Sequence, residues 1–118
     1  MLLREAKEIL DAEILAGEEY MDREVEAAFS CDLMSDVLAF VDDKVLLLTG
    51  LTNLQVIRTA EMLDLSNIVF VRGKKPNEEV CRLAREKKMV LMGVKHTLFE
   101  ASGMLYKSGL GAIKIEGA

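Results

Sequence analysis

Val45-Leu46-Leu47-Leu48-Thr49-Gly50-Leu51-Thr52-Asn53 is the stretch that decides how this chain folds. Its aliphatic run is too short to cross a bilayer and suits a strand buried on both faces. Gly50 breaks the run, and Thr52 and Asn53 can then cap a helix starting near Leu54. A strand, a tight turn and a helix N-terminus in succession form a place where α/β proteins often bind ligands.

The flanking sequence repeats that grammar. Asp42-Asp43-Lys44 is a turn leading into the strand, and two further strand–helix units follow. The first unit pairs Val45 to Thr49 with a helix over Leu54 to Asp64, and the second pairs Asn67 to Val71 with Asn77 to Lys87. The third pairs Met89 to Met92 with Leu98 to Lys107. The strand starts lie 22 residues apart in both intervals. That spacing fits a helical crossover and exceeds a hairpin, so parallel strands with right-handed connections are expected.

Thr52-x-x-Gln55 and Thr97-x-x-Glu100 fit the capping box. Pro76 suits a first helical position, Glu78 and Glu79 an N-terminal turn, and Gly109 a C-terminal cap. Upstream, Leu2 to Leu10 reads as an amphipathic helix, Glu13 to Gly17 as a short strand and Val25 to Cys31 as another. Asp32 is a candidate N-cap for a helix over Leu33 to Val41. The tail, 111–118, is expected either to add an edge strand through Ile113 and Ile115 or to be mobile. The fold class is therefore α/β: a single three-layer domain over 1–118 with a mainly parallel sheet built from successive strand–helix units, plus an N-terminal helix and short extra strands.

Composition narrows the function classes. The chain has 118 residues, half of them hydrophobic, and a net charge of −5. An acidic balance opposes general nucleic-acid binding, which needs a basic field. No membrane span is expected, and the N-terminus turns charged at once, unlike a signal peptide, so a cytoplasmic location is expected. Cys31 and Cys81 lack a Cys-x-x-Cys partner and read as reduced, buried thiols. Asp32, Asp36, Asp42 and Asp43 fit caps and turns better than a metal site.

Parallel strands would line up three loops along one edge: Gly50 to Asn53, Arg72 to Lys75, and Gly93 to Thr97. Arg72, Lys74, Lys75 and Lys95 fall in two of them, with no acid between Asp64 and Glu78 or between Glu86 and Glu100. Basic loops beside helix N-termini attract phosphate-like anions. Gly50, Thr52, Asn53, Arg72, Gly73, Lys74, Lys75, Lys95, His96 and Thr97 are thus the candidate ligand-binding residues. The plainer alternative is a set of solvated loop lysines. His96 is the only histidine, and no orienting carboxylate or strong nucleophile lies near it in sequence; an exposed or capping histidine is the simpler reading. Neither a P-loop nor Gly-x-Gly-x-x-Gly is present, and no catalytic residue, metal or cofactor is expected.

Gly17-Glu-Glu-Tyr-Met-Asp-Arg-Glu-Val25, Leu47-Leu-Thr-Gly50, Arg72-Gly73 with Lys75-Pro76, and Lys95-His-Thr-Leu-Phe-Glu-Ala101 resemble the DRTGG domain family. The resemblance spans about Gly17 to Leu110 and implies a small α/β module. Such modules occur beside CBS domains in regulated pyrophosphatases and in some phosphotransacetylases, where they look regulatory or assembly-forming, often at a dimer interface. This chain departs from the family pattern at three points. Leu51-Thr52 stands where full-motif members carry Asp-Arg, Arg72-Gly73-Lys74 where they carry Thr-Gly-Gly, and His96 where an acid often precedes the threonine. It looks like a free-standing, divergent member.

Leu33, Met34, Val37, Leu38, Phe40 and Val41 make a wide apolar helix, which must be fully buried or shared with another subunit. The combined expectation is a non-catalytic regulatory module, a homodimer, sensing a small anionic ligand or docking on a partner enzyme or regulator. A pure protein-interaction subunit is the alternative, and a small phosphotransfer or hydrolytic enzyme using His96 or Thr49 is the third reading. Nucleic acid and membrane are not expected partners.

Overall fold

The computed structural model describes residues 1–115. Its strands are β1 (Glu13–Ala16), β2 (Ala27–Ser30), β3 (Val45–Thr49), β4 (Asn67–Phe70), β5 (Val90–Gly93) and β6 (Gly111–Ala112). The helices are α1 (Leu3–Leu10), α2 (Met34–Phe40), α3 (Leu54–Met62), α4 (Glu78–Glu86) and α5 (Leu98–Lys107). One six-stranded sheet runs in the order β1-β5-β4-β3-β2-β6. All neighbours are parallel except β1, which runs antiparallel to β5.

The central strand is β3, as its unbroken aliphatic run dictates. Every one of its residues is buried. Period-2 alternation splits it between two cores. Val45 and Leu47 face Ile68, Phe70 and Leu91, under the apolar sides of α2, α3 and α4. Leu46 and Leu48 join Val69, Val71, Val90 and Met92 beneath α1 and α5. Full burial of each such side chain contributes about 1.5–3 kcal/mol, so this strand fixes all three layers at once.

The N-terminal segment has a structural task. Arg23 and Met21 carbonyls accept the first free N–H groups of α1, from Leu3 and Arg4, at 2.9 Å each. Glu5 adds a carboxylate acceptor for Leu2 N–H at 2.9 Å. Gly17 turns the chain at φ +81° directly against the backbone of Met89 and Val90, so this corner packs onto the strand entering β5.

Several local expectations change at this level. Asp32 does not cap α2: Leu33 occupies the cap position without a side-chain bond. Asn53, rather than Thr52, caps α3 by accepting Val56 N–H. Pro76 precedes the cap residue Asn77 of α4 and is not the first helical residue. Thr97 caps α5 by accepting Glu100 N–H at 3.2 Å, but the Glu100 carboxylate turns to His96 instead of closing the box. Gly109 ends α5 as expected, with Gly109 N–H to the Tyr106 carbonyl and Leu110 N–H to the Leu105 carbonyl. The edge strand at the tail is confined to Gly111–Ala112, paired with Ala27 and Ala28. Ile113 and Ile115, expected to carry that strand, lie beyond it in irregular chain, and residues 116–118 of the tail lie outside the described residues.

Candidate functional site

The connections around the sheet create one natural crevice. Helix α4 leaves β4 toward the layer of α2 and α3, whereas α5 leaves β5 toward the opposite layer. Loops that part in opposite directions open a gap at the carboxyl ends of their strands, where open α/β sheets bind ligands. A cavity of about 340 Å³ lies there, walled by Gly73, Lys74 and Lys75 from the first loop and Gly93 to His96 from the second. Its size falls at the lower end for small-molecule sites.

The loops that form it are tied to one another. Arg72 N–H donates to the His96 carbonyl and Gly73 N–H to the Val94 carbonyl, each at 2.8 Å. Arg72 and Gly73 both take the left-handed conformation, at φ +63° and +69°. For arginine that conformation is uncommon and costs energy, which the two cross-loop bonds offset. The Arg72 guanidinium lies against Gly50, closing the gap between the first and second rim loops.

The cavity's third wall was not anticipated. Because β1 runs antiparallel to β5, Glu13 sits opposite Gly93. The α1–β1 corner thereby delivers Asp11 and Glu13 to the rim. Glu13 pairs with Lys75 at 2.8 Å. Lys74 and Lys95 have no carboxylate within 4.0 Å among the described residues. The rim is therefore of mixed charge, with a basic excess, rather than purely basic. No sequence pattern marks either residue; Asp11 ends α1 in the left-handed conformation, at φ 51°.

Of the ten candidate ligand residues, Gly73, Lys74, Lys75, Lys95 and His96 share this cavity. Gly50 and Arg72 adjoin each other beside it. Thr52, Asn53 and Thr97 are not in its wall, and the last two serve as helix caps.

His96 and Thr49 are both committed elsewhere. The His96 ring meets the Leu10 carbonyl through Nε2 at 3.1 Å and, against the expectation of no carboxylate close by, Glu100 one helical turn on through Nδ1 at 2.8 Å. It thus pins α1 to the start of α5. Thr49, fully buried, donates its hydroxyl to Asp32 Oδ1 at 3.0 Å, and the same oxygen accepts Gly50 N–H at 2.7 Å. Asp32 is thereby the residue that shapes the first turn. The two cysteines are free and stand apart from the cavity wall; Cys81 is buried as expected, whereas Cys31 is only half-buried. Burial, and then Glu78, push the Cys81 thiol up. Arg23, stacked 4.2 Å over Tyr20, has one buried nitrogen without a partner among the described residues, and burial lowers its pKa against the pull of Tyr20 and Glu19. Among the described residues, no group of three or more His, Cys, Asp or Glu gathers as a metal site, and no helix is long and apolar enough to cross a membrane.

A second surface lies at the other end of the sheet. Phe99 and Tyr106 on α5 are 88% and 72% exposed beside the short β6 edge. They flank a shallow groove with Ser30, Ser102 and Gly103. On α2, the wide apolar stripe divides. Met34, Val37 and Val41 are buried, while Leu33, Leu38 and Phe40 stay exposed.

An α/β domain with a mixed-charge cleft at its switch point is the class that fold and site define. The sequence profile of the DRTGG domain matches residues 5–108, and the chain belongs to that family. No curated protein matches the sequence. Among solved structures, it resembles the CBS and DRTGG domains of the regulatory region of a Clostridium perfringens pyrophosphatase, in complex with the activator diadenosine tetraphosphate. The TM-score is 0.72 at 17% identity, over 98% of this chain and 51% of that one. The chain thus spans about half the length of that structure, and at this identity the likeness is one of fold.

Proposed function

We propose that this chain is a non-catalytic regulatory domain that senses a small phosphate- or nucleotide-like anion at the β4/β5 cleft and passes the state on to a partner enzyme. The cytoplasm is its proposed place of work. The observation that carries the reading is the cavity at the switch point, with Lys74 and Lys95 at its wall lacking a carboxylate partner among the described residues. Unpaired ammonium groups beside backbone turns attract phosphate oxygens. The pyrophosphatase region that shares the fold was captured with a nucleotide activator, which supports a nucleotide among the first ligands to try. Catalysis is disfavoured because His96 and Thr49 each spend their polar atoms on structural partners and make no bond to one another.

A thermal-shift screen with nucleotides and phosphorylated metabolites tests the sensing claim. A ligand at a hundred times its Kd should add about 2.7 kcal/mol to the stability of the folded state. Lys74→Glu with Lys75→Glu should abolish that gain and cost the unliganded protein only about 1 kcal/mol, since both side chains are exposed and the Lys75–Glu13 pair they break lies in solvent. An unchanged response in the double variant would remove the cleft from consideration.

A second reading, an interaction subunit without a ligand, draws on the exposed apolar residues of α2 and α5. The two readings differ in one measurable respect. Affinity for a partner should change with the bound anion under the first and ignore it under the second. The apolar faces also motivate a homodimer as part of the proposal. Light scattering at micromolar concentration should give twice the chain mass, and a monomeric mass would dismiss it.

A further inference from the structure

The cleft's acids carry information about its ligand, and this step rests on the anion-sensing reading above. A site that takes only a bare anion gains nothing from carboxylates in its wall, because like charges repel. Yet Asp11 and Glu13 both line the same cavity as Lys74 and Lys95. Glu13 is held by Lys75, but Asp11 has no basic group within 4.0 Å among the described residues, so its oxygens remain open acceptors. The lysines sit on the loops after β4 and β5, while the acids come from the α1–β1 corner. The two loops and the α1–β1 corner therefore bring positive and negative groups into one small cavity, with Lys75 and Glu13 joined as an ion pair.

The geometry points to a bipartite ligand: a phosphate monoester whose other half carries hydroxyl donors, as in a sugar phosphate or a nucleoside monophosphate. The phosphate lies toward Lys74 and Lys95, and the hydroxyls donate to Asp11. This is the same chemical division by which an acidic residue in dinucleotide sites reads ribose hydroxyls while other groups take the phosphates. The side-chain balance agrees. Three lysines against two carboxylates leave an excess of one positive charge in the wall, apart from the His96–Glu100 pair. A ligand with net negative charge and donor groups complements that wall better than a zwitterion of no net charge. The modest volume argues for one phosphorylated unit rather than a dinucleotide.

Isothermal titration of the whole chain with inorganic phosphate, ribose 5-phosphate, adenosine monophosphate and free ribose separates the possibilities. The two esters are expected to bind at least about tenfold tighter than inorganic phosphate, because hydrogen bonds to a charged acceptor are among the stronger ones. Free ribose should bind far more weakly than either ester. Asp11→Ala should remove the advantage of the esters and leave phosphate binding unchanged or slightly improved. Lys95→Gln should weaken phosphate and esters together. Whichever ester binds tighter identifies the source of the phosphate. Equal affinity for phosphate and esters, or tighter ester binding in Asp11→Ala, would overturn the bipartite ligand and spare the anion site. No binding of phosphate or either ester would overturn both. Circular dichroism of Asp11→Ala at the titration temperature excludes misfolding, and Asp11→Asn gives a second variant that keeps side-chain size.

Discussion

Asp32→Ala is expected to destabilise the protein by about 2–3 kcal/mol, since it strips a charged acceptor from two donors at once. One of these is the hydroxyl of Thr49, which is fully buried, and the other is the N–H of Gly50, in the turn that ends the central strand. Water has poor access to Thr49, so the loss is not made good by solvent. Asp32→Asn keeps a side-chain oxygen where Oδ1 stands and should recover more than half of the loss. Urea unfolding of both variants at one pH provides the comparison. A loss in Asp32→Ala no larger than an ordinary surface substitution, within about 0.5 kcal/mol, would mean that Asp32 does not organise the turn. Because Arg72 packs on Gly50, the same variant should also loosen the rim beside the cleft.

Gly17→Ala carries the other large effect, about 3 kcal/mol, from left-handed strain together with overpacking. At φ +81° an alanine is already strained, and its Cβ would overlap the Met89 carbonyl oxygen and crowd the Val90 Cα. Both obstacles are backbone atoms at the entrance to β5, so no side-chain rotation relieves them. Thermal unfolding should show a clear fall in Tm. An unchanged Tm would imply that the corner from Gly17 to Val25 is not held against β5. That corner also supplies the acceptors for the start of α1, so the damage should reach the helix that Asp11 ends.

The parts of the fold that follow from periodicity were legible in the sequence. An aliphatic run at 45–49 with no polar break has only a doubly covered strand to occupy, and β3 is buried throughout. Residues Leu98 to Lys107 carry both a Thr97 cap and a glycine stop, and α5 has those bounds. Features that depend on partners distant in sequence were not legible. Asp32 resembles a helix cap because aspartate before an apolar helix usually is one, yet its oxygen is taken by residues 49 and 50 across the β2–β3 pair. Thr52 and Asn53 are both competent caps, and only the chain direction at the turn decides for Asn53.

The candidate site divides along the same line. Gly73 to Lys75 and Lys95 to His96 converge because the parallel order of β4 and β5 aligns their ends, which the strand spacing already implied. Asp11 and Glu13 were missed because the antiparallel pairing of β1 with β5 leaves no periodic mark on the sequence. His96 was weighed as a possible base, but its two nitrogens turn out to hold α1 and Glu100 together at the site's border. These contacts tie the end of α1, next to Asp11, to the loop that carries Lys95.

An NMR titration of the amide-labelled chain with adenosine monophosphate tests most directly whether the β4/β5 cleft is the sensing site. Saturable shifts with one common affinity are expected at Gly73, Lys74, Gly93 and Lys95, while the exposed α5 residues Phe99 and Tyr106 stay unmoved. Saturable shifts confined to the α5 groove, or none at the cleft with inorganic phosphate and ribose 5-phosphate as well, would contradict it.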